Sequence, residues 1–344
     1  MTAQAETPLK VAVMSFAHVH AWSYLSHLLG AENVEVLSSD PGGVAAEGEL
    51  PRGAEFAALL GAPYVESYEE LFAWGPDAVV ICAENSRHLE AVRLAARAGV
   101  HILCEKPLAT SSADAEEIVR LADGAGVVLM TAFPIRFTTA FAELAARVRG
   151  GDAGEVLAVL GTNNGKIPVG DRRWFTDPEF SGGGALVDHV VHCADLLDAL
   201  LGEEPAWVRA VGNGILHGYL GLPVETGGFV TVGYPSGVFA TIDCSWSQPQ
   251  NAAIWGDVTL QVTGTAGSLS MSAMSRYVSG TTAEGEVWLP FGLDFDGAMI
   301  DHFLGCVRTG STPTTNGGVG LRTTRIVDAA RESARSERTV RLYS

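Results

Sequence analysis

The residues best equipped for chemistry fall in three places. The segment ALVDHVVHCADLLDALLG holds Asp188 and His192, four residues apart. In a helix that spacing puts both on one face. A carboxylate there can orient an imidazole and favour its protonated form, as a general base requires. The segment AGVHILCEKPLATS sets Glu105, Lys106 and Pro107 directly after a strand-like run. A lysine in that place can hold its ammonium against a substrate hydroxyl and stabilise the developing alkoxide. Pro107 fixes the turn, and a cis Lys106–Pro107 bond is open to it.

The third place is MSFAHVHAW, between the strand-like LKVAV and the helical YLSHLLG. In a dinucleotide-binding turn this position carries G-x-G-x-x-G, so that backbone N–H groups approach a pyrophosphate at a helix N-terminus. Here Ser15, Ala17 and His20 hold the three glycine places. Ala17 keeps the middle place small, Ser15 offers a hydroxyl, and His20 must point away from the strand. A protonated His18 or His20 would offset phosphate charge. The next strand-like run ends VEVLSSD at Asp40, about 20 residues on, where an acid accepts hydrogen bonds from the adenosine ribose. An acid there repels a 2′-phosphate, so NAD is expected as cofactor ahead of NADP. No metal is expected, because Asp188 and His192 lack a third nearby donor.

The surrounding pattern says how such groups would be held. From Leu9 to about Thr131, short apolar runs (LKVAVM, VEVLS, DAVVICA, VHILC, VVLMTA) alternate with helical patterns, clearest in HLEAVRLAARAG and SADAEEIVRLADGAG. That alternation predicts βαβ units and a doubly wound parallel sheet. Ser112 is the expected N-cap of the second helix, and Gly99 and Gly126 the expected stops. Beyond Thr131 come a helix (FTTAFAELAARVRGG), a strand (EVLAVLGTN), the SGGG loop and its helix. Strand runs with turns follow, including the hairpin GFVTVGY-PS-GVFATIDCSW. These predict an α+β region with one large, mostly antiparallel open sheet. Two further helices and a short strand, RTVRLY, close the chain.

Composition limits the function classes. A length of 344 residues fits two domains. A net charge of −18 argues against nucleic acid and anionic membrane surfaces as partners. It leaves an anionic cofactor to be held by local backbone amides. The five cysteines form no paired spacing, and no segment reaches the roughly 20 apolar residues a bilayer needs. A soluble, cytoplasmic protein is expected.

Taken together these motifs resemble the Gfo/Idh/MocA family of nicotinamide-dependent oxidoreductases, the group that includes glucose–fructose oxidoreductase and inositol dehydrogenase. AGVHILCEKPLA is similar to the family's EKP segment and GGGALVDHVVHCADLL to its glycine-rich D-x-x-x-H helix. DVTLQVTGTAGSLSM is similar to its sheet hairpin, and VDAARESARSERTV to its closing helix and strand. ICAENSRHLEAV resembles its T-P-x-x-x-H stretch, with Ala83 and Glu84 in place of Thr and Pro, and with Asn85 and His88 kept. Arg331 stands where the family has an aromatic residue. The resemblance implies an N-terminal Rossmann domain (residues 1–131) and a C-terminal α+β domain (132–344) whose open sheet serves a homo-oligomer, dimer or tetramer. A helix near 317–335 is expected to pack back on the first domain.

It also implies roles. Lys106 would be the catalytic lysine, His192 the proton acceptor and Asp188 the residue that keeps His192 in the useful tautomer. Ser15, Phe16, Ala17, His18, Asp40, Asn85, His88, Glu105 and Lys106 would hold the cofactor. Substrate contacts are expected from Lys106, Arg136, Asn163, Asn164, Lys166, Arg172, Arg173, Trp174, Asp188 and His192. Polar groups beside an aromatic ring suit a sugar or polyol. The expected activity is hydride transfer between a secondary alcohol of such a substrate and NAD. The other readings are a non-catalytic NAD-binding sensor, or an enzyme using tightly bound NAD for elimination or glycoside cleavage.

Overall fold

The computed structural model describes residues 7–170, 172–274, 277–282, 285–290 and 294–342. The first sheet is built from β1 (Leu9–Met14), β2 (Val34–Ser39), β3 (Ala78–Ile81), β4 (His101–Cys104) and β5 (Leu129–Thr131), all parallel, in the order β2-β1-β3-β4-β5. The helices between them are α1 (Ala21–Gly30), α2 (Gly53–Leu60), α3 (Tyr68–Ala73), α4 (His88–Arg97) and α5 (Ser112–Ala125). The strands are apolar on both faces because both faces are covered. On β1, Val11 and Val13 enter a core with Leu25, Leu28 and Phe56, while Ala12 and Met14 enter one with Val92, Ala95 and Ile118. The strand order reverses at β1, and the crevice beyond the strand C-termini at such a reversal is where open α/β sheets bind ligands. All the candidate residues of this region lie on that edge.

The helix stops fall as expected, with Gly126 at φ +68° closing α5. Its N-cap is Ser111, whose hydroxyl accepts the Asp114 N–H, not Ser112. Ser112 instead donates its N–H and its hydroxyl to Asp328. That tertiary acceptor, 216 positions away, decides between two adjacent serines.

The chain then continues through α6 (Thr139–Arg149), β6 (Val156–Lys166), the short α7 (Pro178–Ser181) and the long α8 (Ala185–Leu201). It next forms β7 (Trp207–Asn213), β8 (Gly227–Gly233), β9 (Phe239–Gln248), β10 (Gly256–Gly264) and β11 (Ser268–Ser272). A two-stranded ribbon, β12 (Tyr277–Thr282) and β13 (Gly285–Pro290), follows. The last elements are α9 (Phe295–Thr309), α10 (Gly317–Ser336) and β14 (Val340–Arg341). The second sheet runs β11-β10-β6-β9-β8-β7-β14. Its strands pair antiparallel except β6 with β9. One face packs on α8 through Val190, Val191, Leu196, Val230, Ile242 and Val262. The other leaves Leu160, Val211, Phe229 and Phe239 exposed.

The last two helices tie the sheets together. Met299, Ile300, Phe303 and Leu304 of α9 join the first-sheet core beside α1. Helix α10 packs on α5 and β5 of the first region and on α8 and β7 of the second. All five cysteines are buried free thiols. Among the described residues, no helix is long and apolar enough to cross a membrane.

Candidate active site

Two elements remote in sequence meet at the centre of the crevice. Lys106 follows β4, and its bond to Pro107 is cis. Asp188 lies in the first turn of α8. That turn is held by Glu225, whose side chain accepts the N–H groups of Gly184 and Leu186 at 3.0 Å each. The SGGG loop exists for this approach: a Cβ on Gly184 would meet the Glu225 carbonyl oxygen at 1.9 Å. Gly182 sits at φ +83°, where a side chain is strained.

Lys106 Nζ lies 2.8 Å from Asp188 Oδ1 and within reach of its carbonyl. Asp188 Oδ2 accepts the Trp246 indole N–H at 3.1 Å and lies 3.2 Å from His189 Nε2. Burial works to raise the Asp188 pKa. Lys106 and His189 outweigh it and hold the carboxylate well below its usual range. The expected Asp188–His192 bond is therefore corrected. The carboxylate is taken up by Lys106, Trp246 and His189, and His192 Nδ1 is buried without a partner. What Asp188 orients is the lysine. Burial first, and then the Lys106 ammonium, push the His192 pKa well below its ordinary value, so its imidazole is neutral.

Lys106, Asp188 and His192 line one cavity of about 320 Å³, together with His18, His20, Asn163, Phe175, Trp255, Phe295 and Asp296. Asn163 is fully buried and clasps α8 reciprocally: its amide donates to the His189 carbonyl, and its own carbonyl lies 2.9 Å from His189 Nδ1. Its Oδ1 has no hydrogen-bond partner, nor do His18 Nε2, 3.7 Å from Glu105 Oε2, and His192 Nδ1. Buried polar atoms are seldom left this way. All three belong to residues that line the cavity, and the atoms themselves are sealed from solvent.

The other substrate candidates lie elsewhere. Arg136 is locked on α8 by Asp195, with Nη2 at 2.5 Å and Nε at 3.0 Å from its carboxylate, while its neighbours Pro134 and Ile135 line the cavity. Asn164 donates to Ser245, and Lys166 ends β6 off the cavity wall. Arg173 reaches the Glu47 carbonyl at the surface. Trp174 stacks on Phe175 at 4.0 Å and donates to the Ala17 carbonyl. The residues sequence reasoning missed are aromatic or acidic: Phe175, Trp246, Trp255 and Asp296; His20, read there as a candidate cation toward phosphate, turns out to line the cavity. His20 Nδ1 lies 2.9 Å from Glu105 Oε1. His18, His20 and Glu105 place donor atoms within 4.8 Å of one another. His18 Nδ1, however, accepts the His20 N–H, which puts the imidazole proton on Nε2. The group is hydrogen-bonded, and no metal site is assigned to it.

The fit to a dinucleotide is uneven along the crevice. At the Lys106 end there is open space and unpartnered polar atoms. At the Asp40 end every expected contact is spent. Asp40 is buried and accepts from Ser15 Oγ, Gly53 N–H and both Nε and Nη2 of Arg52. Arg52 also pairs with Glu84. Of the turn N–H groups a pyrophosphate needs, that of Ala17 bonds Ser15 Oγ, that of His18 the Cys82 carbonyl and that of His20 the His18 ring. Phe16 packs on Phe56. The buried Arg172 donates to the carbonyls of Phe16, Ala17, Leu50 and Pro51, sealing the turn from the second region. His88 is bonded to the carbonyls of Ala83, Pro107 and Leu108, a structural role. Asn85 donates to Ser181, and its Oδ1 is unpartnered. Hence Ser15, Phe16, Ala17, Asp40 and His88 do not present free groups to a cofactor in this conformation. The Asp40 carboxylate is ion-paired with Arg52 at 2.7 Å.

Residues 16–133 match the NAD-binding Rossmann-fold model of an oxidoreductase family, and residues 141–270 match the GFO/IDH/MocA C-terminal domain. The chain is 34% identical to a 1,5-anhydro-D-fructose reductase of Ensifer adhaerens, over 70% of this chain and 72% of that one. It is 28% identical to a D-apiose dehydrogenase of Paraburkholderia graminis, over 95% and 86%. A crystal structure of GenD2 from gentamicin A biosynthesis, in complex with NAD, shares the fold with a TM-score of 0.84 at 22% identity, covering 99% of this chain and 98% of that one. With an EKP lysine clasped by the first turn of a D-x-x-x-H helix, across a parallel sheet and an open mixed sheet, the chain belongs to the GFO/IDH/MocA family of oxidoreductases.

Proposed function

We propose that this protein is a dehydrogenase that oxidises a secondary alcohol of a sugar, anhydro sugar or polyol with a nicotinamide dinucleotide. The observation that carries this reading is the buried Lys106–Asp188 ion pair, at 2.8 Å, and a neutral His192 lining one small cavity. Lys106 steadies the substrate oxygen, and Asp188 fixes the lysine in place. His192, uncharged, takes the hydroxyl proton. Asn163 and His18 are neighbouring polar residues on the same cavity wall. The nicotinamide, when bound, supplies the hydride acceptor. His18, Asn85, Glu105 and Lys106 are the first-domain residues nearest to that end, and the adenosine end opens only when Arg172 and Trp174 withdraw from the turn. The intact Lys106–Asp188 pair weighs against a sensor without chemistry.

The relatives' names suggest the panel for the test: aldoses, 1,5-anhydro sugars and inositols, each with NAD and with NADP, followed by absorbance of the reduced cofactor. One cofactor reduced per product formed is expected. Product without net reduction, or no turnover across the panel, counts against the reading. A second copy of this chain is the proposed partner for the exposed sheet face at Leu160, Val211, Phe229 and Phe239. Light scattering at low concentration should give a dimer or tetramer mass.

A further inference from the structure

The carboxylate–imidazole couple that the spacing of Asp188 and His192 suggested does exist in this cavity, between other residues. His20 Nδ1 sits 2.9 Å from Glu105 Oε1, with the Tyr24 hydroxyl 3.3 Å from the same nitrogen. Glu105 is buried, and its other oxygen accepts the Lys106 N–H. A carboxylate only accepts, so Nδ1 carries the proton and Nε2 is the basic nitrogen. The His20 side chain is 31% exposed and lines the cavity. His192 is built the opposite way. No carboxylate bonds its ring, so an imidazolium there would carry its charge beside the Lys106 ammonium without a hydrogen-bonded counter-charge.

We propose that His20, oriented by Glu105, is the group on which the substrate's hydroxyl proton comes to rest after His192 has lifted it. This rests on the dehydrogenase reading. The O–H bond breaks and the proton passes to His192 Nε2. The oxygen's electron pair becomes the second bond of the carbonyl as the C–H pair leaves as hydride to the nicotinamide. The proton then moves across the cavity to His20 Nε2, and His192 returns to neutral. The groups facing His20 are Glu105 and Lys106 after β4, His18 and Tyr24 on its own segment, Asp296 from α9, and Asp188 and His192 on the wall formed by α8. Burial opposes a charge on His20. Glu105 first, and Asp296 after it, outweigh burial and raise its pKa.

The test is the pH dependence of alcohol oxidation with His20→Gln, Glu105→Gln and Asp296→Asn, beside an NMR titration of the histidine rings in the cofactor-free protein. The wild type should lose kcat/KM below a midpoint above the ordinary histidine value of about 6.5. His20→Gln should lower kcat by about 10²-fold and remove that limb. Glu105→Gln and the more exposed Asp296→Asn should move the limb to lower pH, the second keeping the measurement open if the first fails to fold. In the titration His20 should protonate at higher pH than His192. A limb unmoved in His20→Gln, or a His20 that titrates below His192, overturns the proposal. A Lys106→Met enzyme with full turnover would instead sink the dehydrogenase reading.

Discussion

The two ends of one crevice are made in opposite ways. Around Lys106, His18 Nε2, Asn163 Oδ1 and His192 Nδ1 lack hydrogen-bond partners, and their residues line an open cavity. Around Asp40, a carboxylate, a guanidinium, a hydroxyl and a backbone N–H satisfy one another, and Arg172 and Trp174 cap the turn beside them. An unpaired buried polar group costs roughly 1–3 kcal/mol. A saturated cluster needs nothing further. The Lys106 end is thus left open, and the cluster at Asp40 is saturated within the protein.

That contrast can be broken or sharpened by four measurements. Lys106→Met should lower turnover by about 10²- to 10⁴-fold, read by steady-state kinetics. A loss smaller than tenfold would remove the lysine from the chemistry. Arg52→Met removes the cation from the Asp40 carboxylate and leaves Glu84 only Arg87, and should cost about 3 kcal/mol of stability, seen as a Tm lower by several degrees. An unchanged Tm would mean the Asp40 end is not held by its ion pairs. Trp174→Phe keeps the stack on Phe175 and deletes the bond to Ala17, at about 1 kcal/mol. It should tighten the Kd of NAD and NADP severalfold by calorimetry, and a weaker Kd would deny the segment its role as a cover. The smallest effect concerns acid stability. Burial pushes the Glu105 pKa up, but His18 and His20 outweigh it and hold it below the carboxylate range. A depressed acid contributes stability above its unfolded pKa of about 4.3 and loses it as pH falls from there. Tm should therefore fall more steeply below about pH 4.3 in the wild type than in Glu105→Gln.

Much of this was legible in the residues. Within LKVAVM, AVVI and HILC, the runs VAVM, AVVI and ILC are apolar and buried on both faces, as strands covered on both sides are. Gly126 and Gly202 stop helices because both take the left-handed conformation. Lys106 after a strand and Asp188 on a helix were visible as chemistry, and both reach the cavity. Three things were not visible. The partner of Asp188 proved to be a lysine 82 positions away, not the histidine one turn on. His20, read as an obstruction in a glycine place, turns into the cavity. Arg52, in a stretch without motif, neutralises Asp40.

The sequence by itself determined the local geometry: which runs are strands, where helices begin and end, and that a lysine and an Asp-His helix stand at the ends of elements. These follow from side-chain periodicity and backbone sterics within a few residues. Which carboxylate serves which cation was decided only when the two sheets closed on one another. A buried charge is paid for by its nearest neighbours in space, and spacing along the chain does not record them.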